Sequence, residues 1–272
     1  MHLGVNVPNF GPGTDPGVLR EWARTVEGLG FDLLMVSDHV VITPDVAERY
    51  PEPFHEPFTT LSWLAGVTTR VRLGTTVLVL PYRHPLLVAR MAANLDRLSG
   101  GRLVLGVGVG WSSQEFAALG VPFAERGRLT DEYLTALHDA WHAGTGGGDS
   151  PVPVWVGGNS EAAIRRAARF GHAWHPLRGT LPWMRSAVAR HPEVAFAPRI
   201  ALRLTAEPVE DGGRLAGVGT LEQVLDDLAQ LRALGAGTVL LDPYHGDPEE
   251  TRRPETAWQA LTAVATHWRT TS

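Results

Sequence analysis

Short apolar blocks recur along the chain. Each is cut off by glycine, proline or a polar side chain, and a stretch with helical spacing follows. The blocks cover residues 3–7, 33–37, 72–79, 103–109, 154–156, 173–175, 199–205 and 238–241. Runs this short, rich in valine and leucine and apolar on both faces, predict buried strands of a parallel sheet. Helices are predicted between them. Asp15 stands as an N-cap with Pro16 in the first helical position, and Leu19, Trp22, Ala23, Val26 and Leu29 fall on one face. Further helices are expected over roughly 57–68, 86–98, 124–142, 160–170, 180–190, 220–234 and 254–268. The segments "VEGLGFDLLMV", "ARFGHAW" and "LRALGAGTVLL" repeat one order of helix end, capping glycine and strand. Strict strand–helix alternation predicts an α/β fold, a (β/α)8 TIM barrel in one domain over 1–272, rather than a doubly wound sheet. The glycine-rich "HAGTGGGDSPVP" (142–153) reads as a loop inside that domain.

A barrel of this kind carries its chemistry where the strands end at their C-terminal side. The block 31–36 stops at Ser37, Asp38 and His39, a hydroxyl, a carboxyl and an imidazole in succession. Consecutive strand side chains point opposite ways, so Asp38 cannot easily orient its neighbour's ring. His39 is therefore the candidate working imidazole and Asp38 a supporting group; the plainer alternative is a histidine that ties down a loop. In "LGVGVGWSS" (105–113) the glycines either relieve crowding at the strand mouth or let a flat ring lie on the backbone. The spacing is G-x-G-x-G, which speaks against a dinucleotide fingerprint. "PVWVGGNSEAAIRRAARFG" (153–171) runs a strand into Gly157 and Gly158, then places Asn159 and Ser160 before a helix. Ser160 and Glu161 suit a helix start, and glycines ahead of them leave N–H groups open to a phosphate.

Composition narrows the chemistry. The chain of 272 residues has no cysteine, and all 24 basic residues are arginine. Thiol nucleophiles, thiolate metal sites, lysine Schiff bases and the P-loop lysine are thereby excluded. A net charge of −5 gives no electrostatic footprint for nucleic acid. No HxH or HExxH spacing points to a metal. No run of about 18 apolar residues predicts a membrane span, and no charged-then-apolar leader opens the chain, so the cytoplasm is the expected setting.

The motifs "SDH", "LGTTVLVLPYRHP", "LDRLSGGRLVLGVGVGW", "ERGR", "PVWVGGNSEAAIRRAARFGHAW" and "GTLEQVLDDLAQLRALGAGTVLLD" occur in that order. Together they resemble the bacterial luciferase-like monooxygenase superfamily, and within it the coenzyme F420-dependent oxidoreductases. The resemblance covers about residues 1–245. It implies a barrel that holds F420 or FMN at its mouth. It implies that His39 is the active-site histidine, that Thr76 and Val77 are joined by a non-prolyl cis peptide behind the ring, and that Gly108, Gly110 and Trp111 flank the ring. Gly158, Asn159 and Ser160 match the phosphate turn. Family members that hold FMN usually place an arginine where this chain has Val109, which favours F420. The usual β-hairpin ahead of the fifth strand is reduced to "GTGGGDSP". The implied activity is hydride transfer between F420 and a small organic substrate, by a homodimer. The alternatives are an FMN-dependent monooxygenase and a non-catalytic flavin-binding barrel.

Overall fold

A computed structural model describes residues 1–146 and 152–270. The centre of the glycine-rich segment, and with it the expected loop and reduced hairpin, lies outside the described residues. The first strands are β1 (His2–Asn6), β2 (Leu33–Val36), β3 (Arg72–Thr75) with its continuation β4 (Leu78–Val79), and β5 (Leu103–Gly108). β6 (Val154–Gly157), β7 (Ala173–His175) and β8 (Arg199–Ala201) follow. Next come β9 (Arg203–Leu204) and β10 (Val218–Gly219), and β11 (Thr238–Asp242) is last. All pairings between these strands are parallel. Hydrogen bonding runs β7-β6-β5-β3-β2-β1-β11-β8, with β4 also on β5. That is the ring of eight strand positions of a (β/α)8 barrel. β9 and β10 pair only with each other, outside the ring.

Ten helices are described: α1 (Pro16–Gly28), α2 (Pro44–Ala47), α3 (Pro57–Ala65), α4 (Pro85–Ser99), α5 (Ser113–Ala118), α6 (Arg126–His142), α7 (Glu161–Phe170), α8 (Leu181–Arg190), α9 (Leu221–Ala233) and α10 (Pro254–Thr270). α1 begins where the sequence places it: the Asp15 carboxylate accepts the Val18 N–H at 2.9 Å. Among the described residues, no helix is long and apolar enough to cross a membrane.

The alternating direction of strand side chains makes two apolar layers. On β2, Leu34 and Val36 join the outer layer between strands and helices, whereas Leu33 and Met35 join the inner cluster with Val104, Trp155, Ala173, Ala197 and Leu240. The barrel interior is filled rather than open.

Two expected strands break. The strand expected over 72–79 is interrupted after Thr75, and the peptide bond between Thr76 and Val77 is cis. The strand expected over 199–205 leaves the ring after Ala201. Leu202 N–H donates to the Asp242 carbonyl, whereas Arg203 N–H turns outward to Gly217.

The ring closes between β7 and β8. There the Trp174 N–H donates to Ala195 at 2.8 Å, Ala197 N–H to Trp174 at 2.9 Å and Arg199 N–H to Pro176 at 2.8 Å. A charged clasp lies above this seam. The Asp242 carboxylate is fully buried. It accepts from Arg199 Nε (3.1 Å) and Nη2 (2.8 Å), from Arg178 Nε (3.0 Å) and Nη2 (2.5 Å), and from Asn6 Nδ2 (3.0 Å). Asp242→Asn keeps the side-chain shape and leaves two largely buried guanidiniums without counter-charge. Removing one partner of a buried pair costs about 3–5 kcal/mol. Urea denaturation of the variant is expected to show a loss of that size; an unchanged midpoint would mean the arginines are neutralised by other groups.

Candidate active site

The ends of β2 to β7 and of β8 surround a cavity of about 380 Å³, within the range typical of ligand pockets. Asp38, His39, Thr76, Val77, Gly108, Gly110, Trp111, Gly157, Gly158 and Asn159 all line it, together with Tyr50, His175 and Arg199. The structure thus brings together residues that lie far apart in the chain. Ser160 is the exception. It is exposed and does not line the cavity; its hydroxyl accepts the Ala163 N–H at 3.2 Å and caps α7.

His39 is buried, and a carboxylate holds it, but not that of Asp38. His39 Nδ1 lies 2.7 Å from Glu115 Oε2. Glu115 is itself fully buried. It also accepts the Val40 N–H at 2.6 Å, the Val41 N–H at 3.1 Å and the Tyr82 hydroxyl at 3.0 Å. Burial works to raise its pKa, but the hydrogen bond and charge of His39 and the Val40 and Val41 N–H groups outweigh it, leaving the carboxyl below its ordinary value. Burial and the Glu115 charge push the Tyr82 hydroxyl well up, so it stays a donor. An ionised Glu115 keeps a proton on His39 Nδ1, which leaves Nε2 as the nitrogen free to face the cavity. Three aromatic rings confine the imidazole. Tyr50 stacks on it at 5.5 Å between centroids, and Phe54 and Trp111 stand edge-on at 5.5 and 5.7 Å.

Asp38 faces the other way. Its two oxygens take both Nη groups of Arg83 at 2.8 Å, and Oδ2 accepts the Val79 N–H at 2.9 Å. It therefore fixes the turn after β4 to the end of β2, and the expected support of His39 comes from Glu115 instead. Sequence reasoning missed Glu115, Tyr50 and Phe54. The one local signal for Glu115 is "SSQE", in which Ser112 caps α5 and Glu115 sits three residues on; that pattern is already explained as a helix start.

The glycines of the wall have a steric role. A Cβ on Gly108 would stand 2.6 Å from Val77 Cγ2, and one on Gly157 would stand 2.7 Å from Val77 Cγ1. Both positions make room for the Val77 side chain, so crowding relief accounts for them. Gly158 differs: its φ of +123° is a backbone shape that only glycine adopts without strain. Asn159 locks this turn to the next strand, donating to the Leu177 carbonyl at 2.7 Å and accepting the Leu177 N–H at 2.8 Å. The Gly158–Asn159 turn that leads into α7 therefore lines the cavity.

At the base of the cavity, Thr76 joins two networks. Its hydroxyl lies 2.9 Å from His175 Nε2, and Arg199 Nη1 donates to its carbonyl at 2.9 Å. His175 Nδ1 lies 2.5 Å from the Ala197 carbonyl, so that nitrogen carries the proton. Complete burial, aided by the Arg199 charge, pushes the His175 ring down to about 4.

The comparisons with known proteins agree with this architecture. The profile of a family described as luciferase-like monooxygenase matches residues 1–197. An uncharacterised protein of Mycobacterium tuberculosis is 33% identical over 175 residues, which is 54% of this chain and 61% of the relative. This chain thus spans about three fifths of the length of the curated relatives it first matches. Among solved structures, a coenzyme F420-dependent tetrahydromethanopterin reductase from Methanopyrus kandleri superposes with a TM-score of 0.73. It is 15% identical, with 97% of each chain covered. The oxygenating constituent of a 3,6-diketocamphane monooxygenase from Pseudomonas putida, in complex with FMN, reaches 0.71 at 15% identity, again with 97% of each chain covered. At these identities the two structures speak for the fold alone.

His175 generates a pH prediction. In the unfolded chain its ring takes up a proton near pH 6.5, and in the folded protein only near pH 4. Between those values the unfolded state holds more protons, so stability falls as pH drops, by up to about 3 kcal/mol. Below about pH 4 this contribution is gone and the loss stops. His175→Gln carries no titrating ring, so its urea midpoint is expected to change less than the wild type's from pH 6.5 to pH 4. Parallel pH dependence in the two proteins would mean that His175 is not the titrating group.

Proposed function

The chain belongs to the luciferase-like monooxygenase family, and from that premise we propose that it is an F420-dependent oxidoreductase moving a hydride to or from a small organic substrate. The observation that carries this reading is the buried His39–Glu115 pair at the edge of a cavity lined also by the Gly158–Asn159 turn ahead of α7. Three features support a fit to the cofactor. The wall from Gly108 to Trp111, with Val77 and Val79, offers an apolar face for a planar ring. The Gly158–Asn159 turn, which lines the cavity ahead of Ser160 and the start of α7, is the proposed seat of a phosphate. Val109, where FMN-binding members usually carry an arginine, leaves that turn as the principal anchor and favours F420 over FMN.

A bound deazaflavin supplies a ring carbon that exchanges hydride with a substrate. The protein's own task is position and proton management. Thr76 and Val77 would back the ring, with Val77 seated in the space left by Gly108 and Gly157. His39 is the catalytic residue, and Nε2 its working atom: it takes a proton from a substrate hydroxyl or returns one. Glu115 is a positioning residue that fixes the tautomer and stabilises the imidazolium while it carries that proton. Tyr50, Phe54 and Trp111 limit the ring's rotation and keep water from it.

Side-by-side titration of the purified protein with F420 and FMN is expected to give the tighter binding with F420. Low-micromolar FMN binding without measurable F420 binding would replace this reading by the FMN-dependent monooxygenase, and absence of both would overturn the flavin assignment altogether.

With F420 bound, His39→Ala is expected to slow single-turnover hydride transfer about 10²–10⁴-fold while cofactor affinity stays within a few-fold. His39→Gln recovers little, since an amide does not exchange a proton at neutral pH. Glu115→Gln keeps a polar group opposite Nδ1 and removes the charge. It is expected to lower the apparent pKa of the rate, because the imidazolium loses its partner. A His39→Gln variant at wild-type speed would end the claim of His39 as proton carrier.

A further inference from the structure

A second cavity lies beside the one described above and has no part in the proposed function. It measures about 560 Å³ and sits where β8 and β11 end, under the start of α10. The two cavities share no lining residue. A single aromatic layer separates them. Tyr50 lines the first and Tyr244 the second, 6.0 Å apart between centroids, and Phe10 packs edge-on against both at 5.0 and 4.9 Å. The floor of the second cavity is apolar and buried, formed by Pro8, Trp22, Leu202 and Pro243.

Its rim is basic. Arg203, His245 and Arg253 line it, against one carboxylate, that of Glu250. Glu250 Oε2 is already taken by the His245 backbone N–H at 2.7 Å. Several arginines elsewhere answer to carboxylates: Arg83 to Asp38, Arg166 to Asp131, Arg199 to Asp242, Arg214 to Asp227. Among the described residues, neither the Arg203 nor the Arg253 guanidinium has such a partner. Two unpaired guanidinium forks over an apolar floor match a flat or branched apolar body that ends in a carboxylate, sulfonate or phosphate.

We propose that this second cavity binds a small organic anion with an apolar body, independently of the ligand that fills the His39 cavity. Arg203 and Arg253 hold the anionic end, and the body lies on Trp22 and Leu202. The site is one ring away from Tyr50, and so from the aromatic cage of His39.

The test is calorimetric titration with naphthalene-1-sulfonate and with the uncharged naphthalene-1-methanol, and it needs no cofactor. The sulfonate is expected to bind the wild type, with the alcohol at least about tenfold weaker. The double variant Arg203→Gln/Arg253→Gln, altered only at exposed side chains, is expected to lose at least about tenfold in sulfonate affinity. Leu177→Glu adds a negative charge at the exposed rim of the first cavity and is expected to leave that affinity unchanged. Absence of binding overturns the proposal. Equal affinity for sulfonate and alcohol overturns it too, as does binding that Leu177→Glu weakens while the double arginine variant does not.

Discussion

Asp242 is a carboxylate with no access to water, and much of the barrel mouth follows from the need to neutralise it. Burial acts to raise its pKa; the Arg199 and Arg178 charges and the Asn6 amide overcome this and hold it below its ordinary value. Arg199 belongs to β8 and Arg178 to the turn after β7, so one acid clasps the two sides of the seam where the ring of strands closes. Arg199 then reaches the Thr76 carbonyl, and the Thr76 hydroxyl reaches His175. Strands one, three, six, seven and eight are thus linked by polar contacts at one level of the barrel. The base of the cavity inherits its shape from that chain.

Two other buried acids repeat the solution on the opposite side. Asp38 takes a bidentate arginine, and Glu115 takes an imidazole, two backbone N–H groups and a phenol. A chain without lysine suits this arrangement, because a guanidinium offers two parallel donors where an ammonium offers one point of charge. The difference between the two acids is functional. Asp38 spends its oxygens on fixed structure, whereas Glu115 spends one on a ring whose other nitrogen is left for the cavity.

The eight strand positions were legible because each parallel strand is buried on both faces and reads as an unbroken apolar run. Their lengths were less legible. Val77 and Leu78 continue the apolar pattern of the third strand although the ladder breaks at Thr76, and Leu204 continues the pattern of the seventh although the Arg203 N–H has already turned out of the ring to Gly217. α2 and α5 are too short to show a helical period. At the site, His39, Gly158 and Asn159 were visible as polar or glycine residues ending apolar runs. Glu115 was not, since it meets His39 across 76 positions of chain and its local pattern is that of a helix cap. Gly108 and Gly157 were found for an incomplete reason. They face Val77, a contact that exists only once the strands are side by side.

The two histidines of the mouth show why position at a strand end does not by itself make a proton carrier. His175 ends β7 as His39 follows β2, and both are buried. His175 has both nitrogens occupied, by the Ala197 carbonyl and the Thr76 hydroxyl, beside an arginine that opposes its protonation. Protonating it would place a second donor against Thr76 and a second charge beside Arg199. His39 has a carboxylate on one nitrogen, so a proton arriving at Nε2 meets an opposite charge already in place. One ring is held neutral, and the other faces a carboxylate. On the proposed reading, that divergence gives proton transfer to His39 and leaves His175 to hold Thr76, on which the cavity base rests.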